Sequence, residues 1–393
     1  MTLLSLIERF ASDVVSESQL HKLLTQSKAE KISLRVKFGI DPTFTDVHLG
    51  HAVPIRLLRT FQTYGHFPVL IIGDATARLG DPTGRNEQRP PLTLEQVREN
   101  AKTYLQQIGR VLDLDPAVCE IRYNSEWFDK MSFFDCLELA SRGTVARLLE
   151  RDDFKKRVDS NQGVHLHEML YPLMQGYDSV QVKADIELGG NDQLFNLHMG
   201  RQMQERAGLP PQICITTPLL LGTDGRKMSK TYGNHVALNA SPDEMYGKVM
   251  SISDESMEPW FMLVTDIAEG EIKATLSGHP RKAKGVLAAD VVRQIYGEKA
   301  AEEAAEEFLN RFSRKELPKE IETFCAGVSP IPIANLLKES GLASSTSEAR
   351  RLIKSNAVRL DGELVADPTQ ELCLDDKVQL IQVGKRRVIQ VKY

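Results

Sequence analysis

Two apolar runs, LRVKFGI at 34–40 and FPVLIIG at 67–73, flank a stretch in which Leu57, Leu58 and Phe61 recur at helical spacing. Short apolar runs giving way to a helix-period segment and back again are the pattern of strand, crossover helix and parallel strand. This alternation constrains the fold more than any other feature, because parallel strands need a long connection and the connecting helix must cover a sheet face. A glycine closes each run, Gly39 one residue before the end of the first and Gly73 at the end of the second. In an open parallel sheet the ligand crevice lies at the carboxyl ends of the strands, so both glycine-ended loops are expected to face it.

The sequence predicts further helices over 92–110, 131–150, 165–177 and 191–206, a short strand near 183–189, and a loop over 213–237. From about 241 to 325 the period is helical throughout, ending in the acidic stretch EKAAEEAAEEFLNRF, which reads as a solvated helix face. AGVSPIPIA marks a linker into a last piece, 330–393, with helices at 332–339 and 346–354 and short strands around AVRLDG, DKVQLIQV and RRVIQV. A chain of 393 residues is too long for one compact core, which agrees with this division.

The net charge of −5 gives the whole molecule no affinity for nucleic acid, so any basic surface must be local. Such a surface lies at the end of the chain: residues 330–393 hold ten Lys or Arg against eight Asp or Glu, net +2, leaving −7 for the rest. Cys119, Cys136, Cys214, Cys325 and Cys373 are scattered and form no CxxC pair, which fits a reducing cytosol and argues against a zinc knuckle. Glu8, Arg9 and Asp13 interrupt the apolar N-terminus, which therefore reads as an amphipathic helix and not a signal peptide. No uncharged apolar run approaches the roughly 18 to 20 residues that span a bilayer, so the protein is expected to be cytoplasmic and unanchored.

Three segments carry candidate chemistry. HLGH at 48–51 lies where an extended run becomes a helix; zinc pairs usually sit four apart with further ligands nearby, and none is present here, so no metal site is expected. Gly50 would let a ligand approach the backbone, the helix N-terminus favours phosphate, and the imidazoles of His48 and His51 could donate to phosphate oxygens. GRKMSKTYG at 225–233 holds Lys227 and Lys230 in a glycine-bracketed loop that could close over a polyphosphate. On the helix near 171–178, Tyr171, Gln175 and Asp178 fall at i, i+4 and i+7 and project from one face, suited to an ammonium, a carboxylate and a phenol.

HLGH and KMSKT resemble the two signatures of the class I aminoacyl-tRNA synthetases. FGIDPTFTDVHLGH, GDATARLGDPTGRNEQR, YPLMQGYDSV and ELGGNDQLFN narrow the resemblance to the tyrosyl-tRNA synthetase family over essentially the whole chain. The resemblance implies an α/β fold: a Rossmann-like parallel-sheet catalytic domain over 1–222, an all-helical domain with the KMSKT loop over 223–325, and a small α+β RNA-binding module of ribosomal-protein type over 330–393. It implies activation of L-tyrosine by ATP, with Mg2+ on the phosphates, to tyrosyl-adenylate and pyrophosphate, followed by transfer to tRNA(Tyr), in a homodimer. His48, His51, Lys227 and Lys230 would be the catalytic side chains. Gly39, Asp41, Thr43, Gly50, Gly190 and Asp192 would hold ATP, with Arg85 and Arg89 joining Lys230 at the leaving pyrophosphate. Thr76, Asp81, Tyr171 and Gln175 would surround the ammonium, Gln193 the carboxylate and Asp178 the phenol.

Lys37 departs from one subgroup of that family, which has a tyrosine there sharing the phenol with the aspartate. Lysine could instead donate to the phenolic oxygen or pair with Asp178. In the last piece, Arg350, Arg351 and Lys354 form a compact basic edge suited to RNA phosphates. Two other readings stay open: a related nucleotidyltransferase that adenylates a small acid without tRNA, and a catalytically dead paralogue that only binds RNA. The C-terminal module weighs against the first, and the chemically intact signatures against the second.

Overall fold

The computed structural model describes residues 2–82, 92–313, 321–374, 378–384 and 387–392. It divides into two compact units, Met1–Glu302 and Glu303–Tyr393. The first contains strands β1 (Asp13–Val15), β2 (Arg35–Ile40), β3 (Phe67–Ile72), β4 (Glu120–Tyr123), β5 (Ile186–Gly190) and β6 (Ile213–Thr217). They form one sheet in the order β1-β6-β5-β2-β3-β4, with β1 antiparallel to β6 and every other pair parallel. The chain moves outward from β2 through β3 to β4, then returns past β2 to β5 and β6. The direction of winding therefore reverses between β2 and β5, the place where an open α/β sheet forms its ligand crevice.

The helix Leu49–Thr63 is the crossover between β2 and β3, and its periodic Leu57, Leu58 and Phe61 are fully buried, as their spacing predicts. The N-terminal stretch is helical over Leu3–Phe10, and Arg9 from it donates to the carbonyls of Phe261, Met262, Thr265 and Ile267. Carbonyls at the end of the helix Met257–Val264, which has no backbone cap, are thereby satisfied by one guanidinium.

The structure corrects several local expectations. Residues 213–217 are β6 and not part of a loop; all five are buried, so ICITT shows no alternation, and Pro218 ends it at once. The helix expected over 131–150 is broken into Phe133–Ser141 and Val145–Leu148, because Gly143 interrupts it and Thr144 Oγ1 caps the second piece at Arg147 N. The helix expected to stop at 177 continues as Leu166–Val182. The helical run after 241 does not reach 325, since β7 (Thr323–Cys325) is a strand.

In the second unit, with β8 (Ile331–Pro332), β9 (Val358–Leu360), β10 (Glu363–Leu364), β11 (Glu371–Leu372), β12 (Gln379–Val383) and β13 (Arg387–Lys392), the main sheet runs β10-β9-β12-β13-β7. The helices Ile333–Glu339 and Thr346–Lys354 contribute Leu336, Leu337 and Ile353 to a core shared with Val358, Ile381 and Val391. Among the described residues no helix is long and apolar enough to cross a membrane.

Within the first unit, Leu166–Val182 packs closely on Leu194–Arg206: a Cβ at Gly176 would lie 3.0 Å from the Met199 carbonyl carbon. Gly176→Val should lower stability by about 1–3 kcal/mol, as overpacking does. Denaturant titration checks this, and an unchanged midpoint would contradict it.

Candidate active site

The residue pairs that the sequence leaves far apart are joined by backbone. Leu49 N donates to Val236 O at 2.9 Å and Leu238 N to Val47 O at 2.8 Å, so the segment leaving the KMSKT loop pairs antiparallel with the segment entering HLGH. His48 caps the helix Leu49–Thr63, and its ring stacks on that of His51 with centroids 3.7 Å apart. His48 N donates to His51 Nδ1 at 3.4 Å, which assigns the proton of neutral His51 to Nε2. Among the described residues, buried Nδ1 of His48 has no hydrogen-bond partner. A Cβ at Gly50 would lie 3.0 Å from that atom, so only glycine leaves the imidazole its place.

Burial, aided by repulsion from His51 and His235, holds the His48 imidazole well below its ordinary pKa. Burial, with Lys227 and His235 adding to it, brings His51 down to about 4. Both rings are thus neutral at physiological pH, and each offers an N–H donor without a positive charge. His235, whose ring lies 6.3 Å from that of His48, is a third imidazole that the sequence reading did not single out.

The loop lysines rest on carboxylates at the two sides of the crevice. Lys227 Nζ lies 3.0 Å from Asp192 Oδ2, and Lys230 Nζ lies 2.5 Å from Asp46 Oδ2. Exposed pairs of this kind contribute about 0–1 kcal/mol, so a polyphosphate can take either lysine at little cost. Asn234 organises the loop from inside: its Nδ2 donates to Asp224 Oδ1 at 2.7 Å and its Oδ1 accepts from Ser229 N at 2.8 Å.

Both signatures open on one cavity of about 820 Å³ at the β2/β5 switch point, which also receives Tyr171, Gln175 and Asp178 from the helix Leu166–Val182. Gly39, Thr43, Gly190 and Asp192 line it too. Asp178 is buried and accepts from Trp127 Nε1 at 3.0 Å and Asn124 Nδ2 at 3.4 Å. Burial raises its carboxyl to about 7, against the lowering effect of the Lys37 charge and those two hydrogen bonds. Asp41 is likewise raised to about 7, by burial and then by Asp81, while accepting from Thr76 Oγ1 at 2.8 Å and Tyr171 Oη at 2.9 Å. A second polar group gathers Asp81, Gln193, Asn196 and Gln175. Gln193 Nε2 donates to Asp81 at 2.9 Å, and Asn196 Nδ2 bridges Gln193 Oε1 and Gln175 Oε1 at 2.8 and 2.9 Å.

Lys37, which also lines the cavity, pairs with Glu187 and not with Asp178. Its Nζ bonds Glu187 Oε1 at 2.8 Å, Ser179 Oγ at 2.7 Å and Gln175 O at 3.0 Å. Arg85 and Arg89 lie outside the described residues. The sequence reading also missed Asn124 and Trp127; the signal available for the latter was that the chain has only two tryptophans. Trp127 holds Asp178, and the other, Trp260, donates to Leu221 O at the base of the KMSKT loop. In the second unit Arg350, Arg351 and Lys354 are all exposed on Thr346–Lys354.

Residues 28–313 match the model of class I tRNA synthetases for W and Y. Tyrosine–tRNA ligases of Idiomarina loihiensis and Thermotoga maritima are each 48% identical to the chain over 393 residues, covering 98% of it and 96% of the relative. The chain belongs to the tyrosyl-tRNA synthetase family. Residues 331–378 match the S4 domain. A C-terminally truncated mitochondrial tyrosyl-tRNA synthetase of Coccidioides posadasii superposes with a TM-score of 0.62 at 26% identity, over 78% of this chain and 91% of that one. The tyrosyl-tRNA synthetase of Archaeoglobus fulgidus complexed with L-tyrosine gives 0.60 at 22% identity, over 77% and 98%, a likeness of fold.

The histidine chemistry predicts a pH effect of definite sign. An unfolded chain takes up the proton at about pH 6.5 that folded His51 refuses. Its contribution to stability is therefore whole above that value and lost as pH falls toward about 4. Asp41 and Asp178 push the other way, so the readout is a difference: His51→Gln should lose less melting temperature than wild type between pH 6.5 and 4.5 (about two units, within the window just given). Parallel profiles would contradict the assignment.

Proposed function

We propose that the protein activates L-tyrosine with ATP, forming tyrosyl-adenylate and releasing pyrophosphate, and transfers tyrosine to the 3′ end of tRNA(Tyr). The observation that carries this reading is the convergence on one cavity of a buried carboxylate for a phenol, a polar cluster for the amino-acid head and both phosphate-directed signatures. No side chain serves as nucleophile. The tyrosine carboxylate attacks the α-phosphorus, and the protein contributes position and charge stabilisation.

Asp178 accepts the phenol hydrogen, while Thr76, Asp81, Tyr171 and Gln175 surround the ammonium and Gln193 the carboxylate. Gly39, Asp41, Thr43, Gly50, Gly190 and Asp192 hold the nucleotide. The neutral imidazoles of His48 and His51 donate to phosphate oxygens. Lys227 and Lys230 leave their carboxylate partners to meet the pyrophosphate as charge develops, and Arg85 and Arg89 belong to the same reading. Mg2+ enters on the ATP phosphates, as it does in nucleotide sites that keep most of its water ligands.

Residues 1–222 form the catalytic domain, 223–325 the KMSKT loop that completes its site and the helical tRNA contacts, and 330–393 the RNA-binding module, all in the cytoplasm. Phe133 and Phe134, 73% and 79% exposed, with Leu137 beside them on one helix, support a homodimer through this face, with tRNA reaching both subunits. Light scattering should give about twice the chain's 44.0 kDa, and Phe133→Asp with Phe134→Asp should return the monomer.

Pyrophosphate exchange with tyrosine, phenylalanine, tryptophan or no amino acid tests the chemistry without tRNA. Exchange with tyrosine alone is expected; silence in folded protein would refute the reading. Asp178→Ala should lower kcat/KM for tyrosine by roughly 10- to 150-fold, the loss of a charge-assisted hydrogen bond. Lys230→Ala should lower kcat by about 10²-fold with little change in tyrosine binding. Arg350→Ala with Arg351→Ala should spare exchange and weaken tRNA charging, increasingly so at higher salt. Equal losses in the two assays would contradict that division of labour.

A further inference from the structure

Lys37 and Glu187 are adjacent in the β2–β5 register and almost wholly removed from solvent. An ammonium carries three N–H groups, and those of Lys37 are all engaged, by Glu187 Oε1, Ser179 Oγ and Gln175 O. Ser179 Oγ passes its own hydrogen to Glu187 Oε2 at 3.0 Å, and Gln212 Nε2 donates to the same oxygen. All three N–H groups of Lys37 are therefore engaged within the protein, leaving none for a substrate hydroxyl. The neighbouring helix is shaped around it: a Cβ at Gly200 would lie 2.5 Å from Gln212 Nε2 and 2.9 Å from Ser179 Oγ.

Gln175 and Ser179 bracket one turn of the helix Leu166–Val182, and Asp178 lies on that turn. The side chain of Gln175 joins the polar cluster around Asp81 and Gln193 through Asn196, while Asp178 faces Trp127 and Asn124. The two ends of the substrate are thus read from one turn of helix, and Lys37 holds that turn to the sheet.

We propose that Lys37 and Glu187 are a positioning pair for tyrosine recognition, fixing the turn Gln175–Ser179 so that Gln175 and Asp178 meet the two ends of the amino acid together, without Lys37 touching the phenol hydroxyl. This rests on the tyrosine-activating reading above. It separates from a direct contact in one respect. A lysine on the hydroxyl would matter only to substrates that have one, whereas a displaced turn also disturbs the ammonium end, which phenylalanine shares.

The test is pyrophosphate exchange by Lys37→Met with Glu187→Leu, which removes both buried charges so that neither is stranded, and by Ser179→Ala, which keeps both and removes one anchor. Wild type is assayed first with tyrosine; its silence would refute the functional reading and not this proposal. The double variant should lose about 10- to 100-fold in kcat/KM for tyrosine, as small misplacements do. At enzyme concentrations that make phenylalanine exchange measurable, that substrate should lose a similar factor, with the KM for ATP unchanged. Ser179→Ala should show a smaller loss of the same kind, and it decides the matter alone if the double variant does not fold. A loss confined to tyrosine, or no loss in a folded variant, would overturn the proposal.

Discussion

The order of the strands is the constraint on which the rest of this structure depends. Because β2 lies between β3 and β5, connections leave its two sides in opposite directions and a crevice opens at its carboxyl end. The first signature leaves the sheet there, after β2, and the loop Gly190–Gln193 leaves beside it, after β5. The second signature follows β6 and is returned to the crevice by its backbone pairing with Val47 and Leu49. Without that pairing the lysine loop would be an ordinary solvated segment. With it, two distant stretches of sequence face one cavity.

Desolvation sets the chemistry inside this frame. Burial raises Asp41 and Asp178 and lowers His48 and His51, each away from its charged form. The crevice floor is thus rich in groups that hydrogen-bond without committing to full charge, while the charges of Lys227 and Lys230 stay at its exposed rim. That separation suits a reaction in which charge appears on phosphate oxygens only as pyrophosphate departs. It also places the acceptor Asp178 where leaving it unfilled is most costly.

Much of this was legible in the sequence because it depends on local spacing. The β2–helix–β3 unit, the shared face of Tyr171, Gln175 and Asp178, and both signatures could be read from residues a few positions apart. What could not be read depends on register between distant segments. Lys37 had two plausible partners by chemistry, and nothing in the sequence signals the third, Glu187, that the β2–β5 register sets beside it. Trp127 and Asn124 reach Asp178 from a segment whose sequence carries no periodicity pointing there. β6 was missed because a strand buried on both faces loses the alternation that marks one.

In the proposed function a buried acceptor, Asp178, selects tyrosine before any chemistry occurs. Equilibrium dialysis of tyrosine and of phenylalanine without ATP, at a series of pH values across neutrality, tests it most directly. The account predicts measurable binding of tyrosine and far weaker binding of phenylalanine, with tyrosine affinity falling as pH drops below about 7, where Asp178 takes up its proton. Comparable affinities for the two amino acids, or a preference for tyrosine that Asp178→Ala leaves intact, would contradict it.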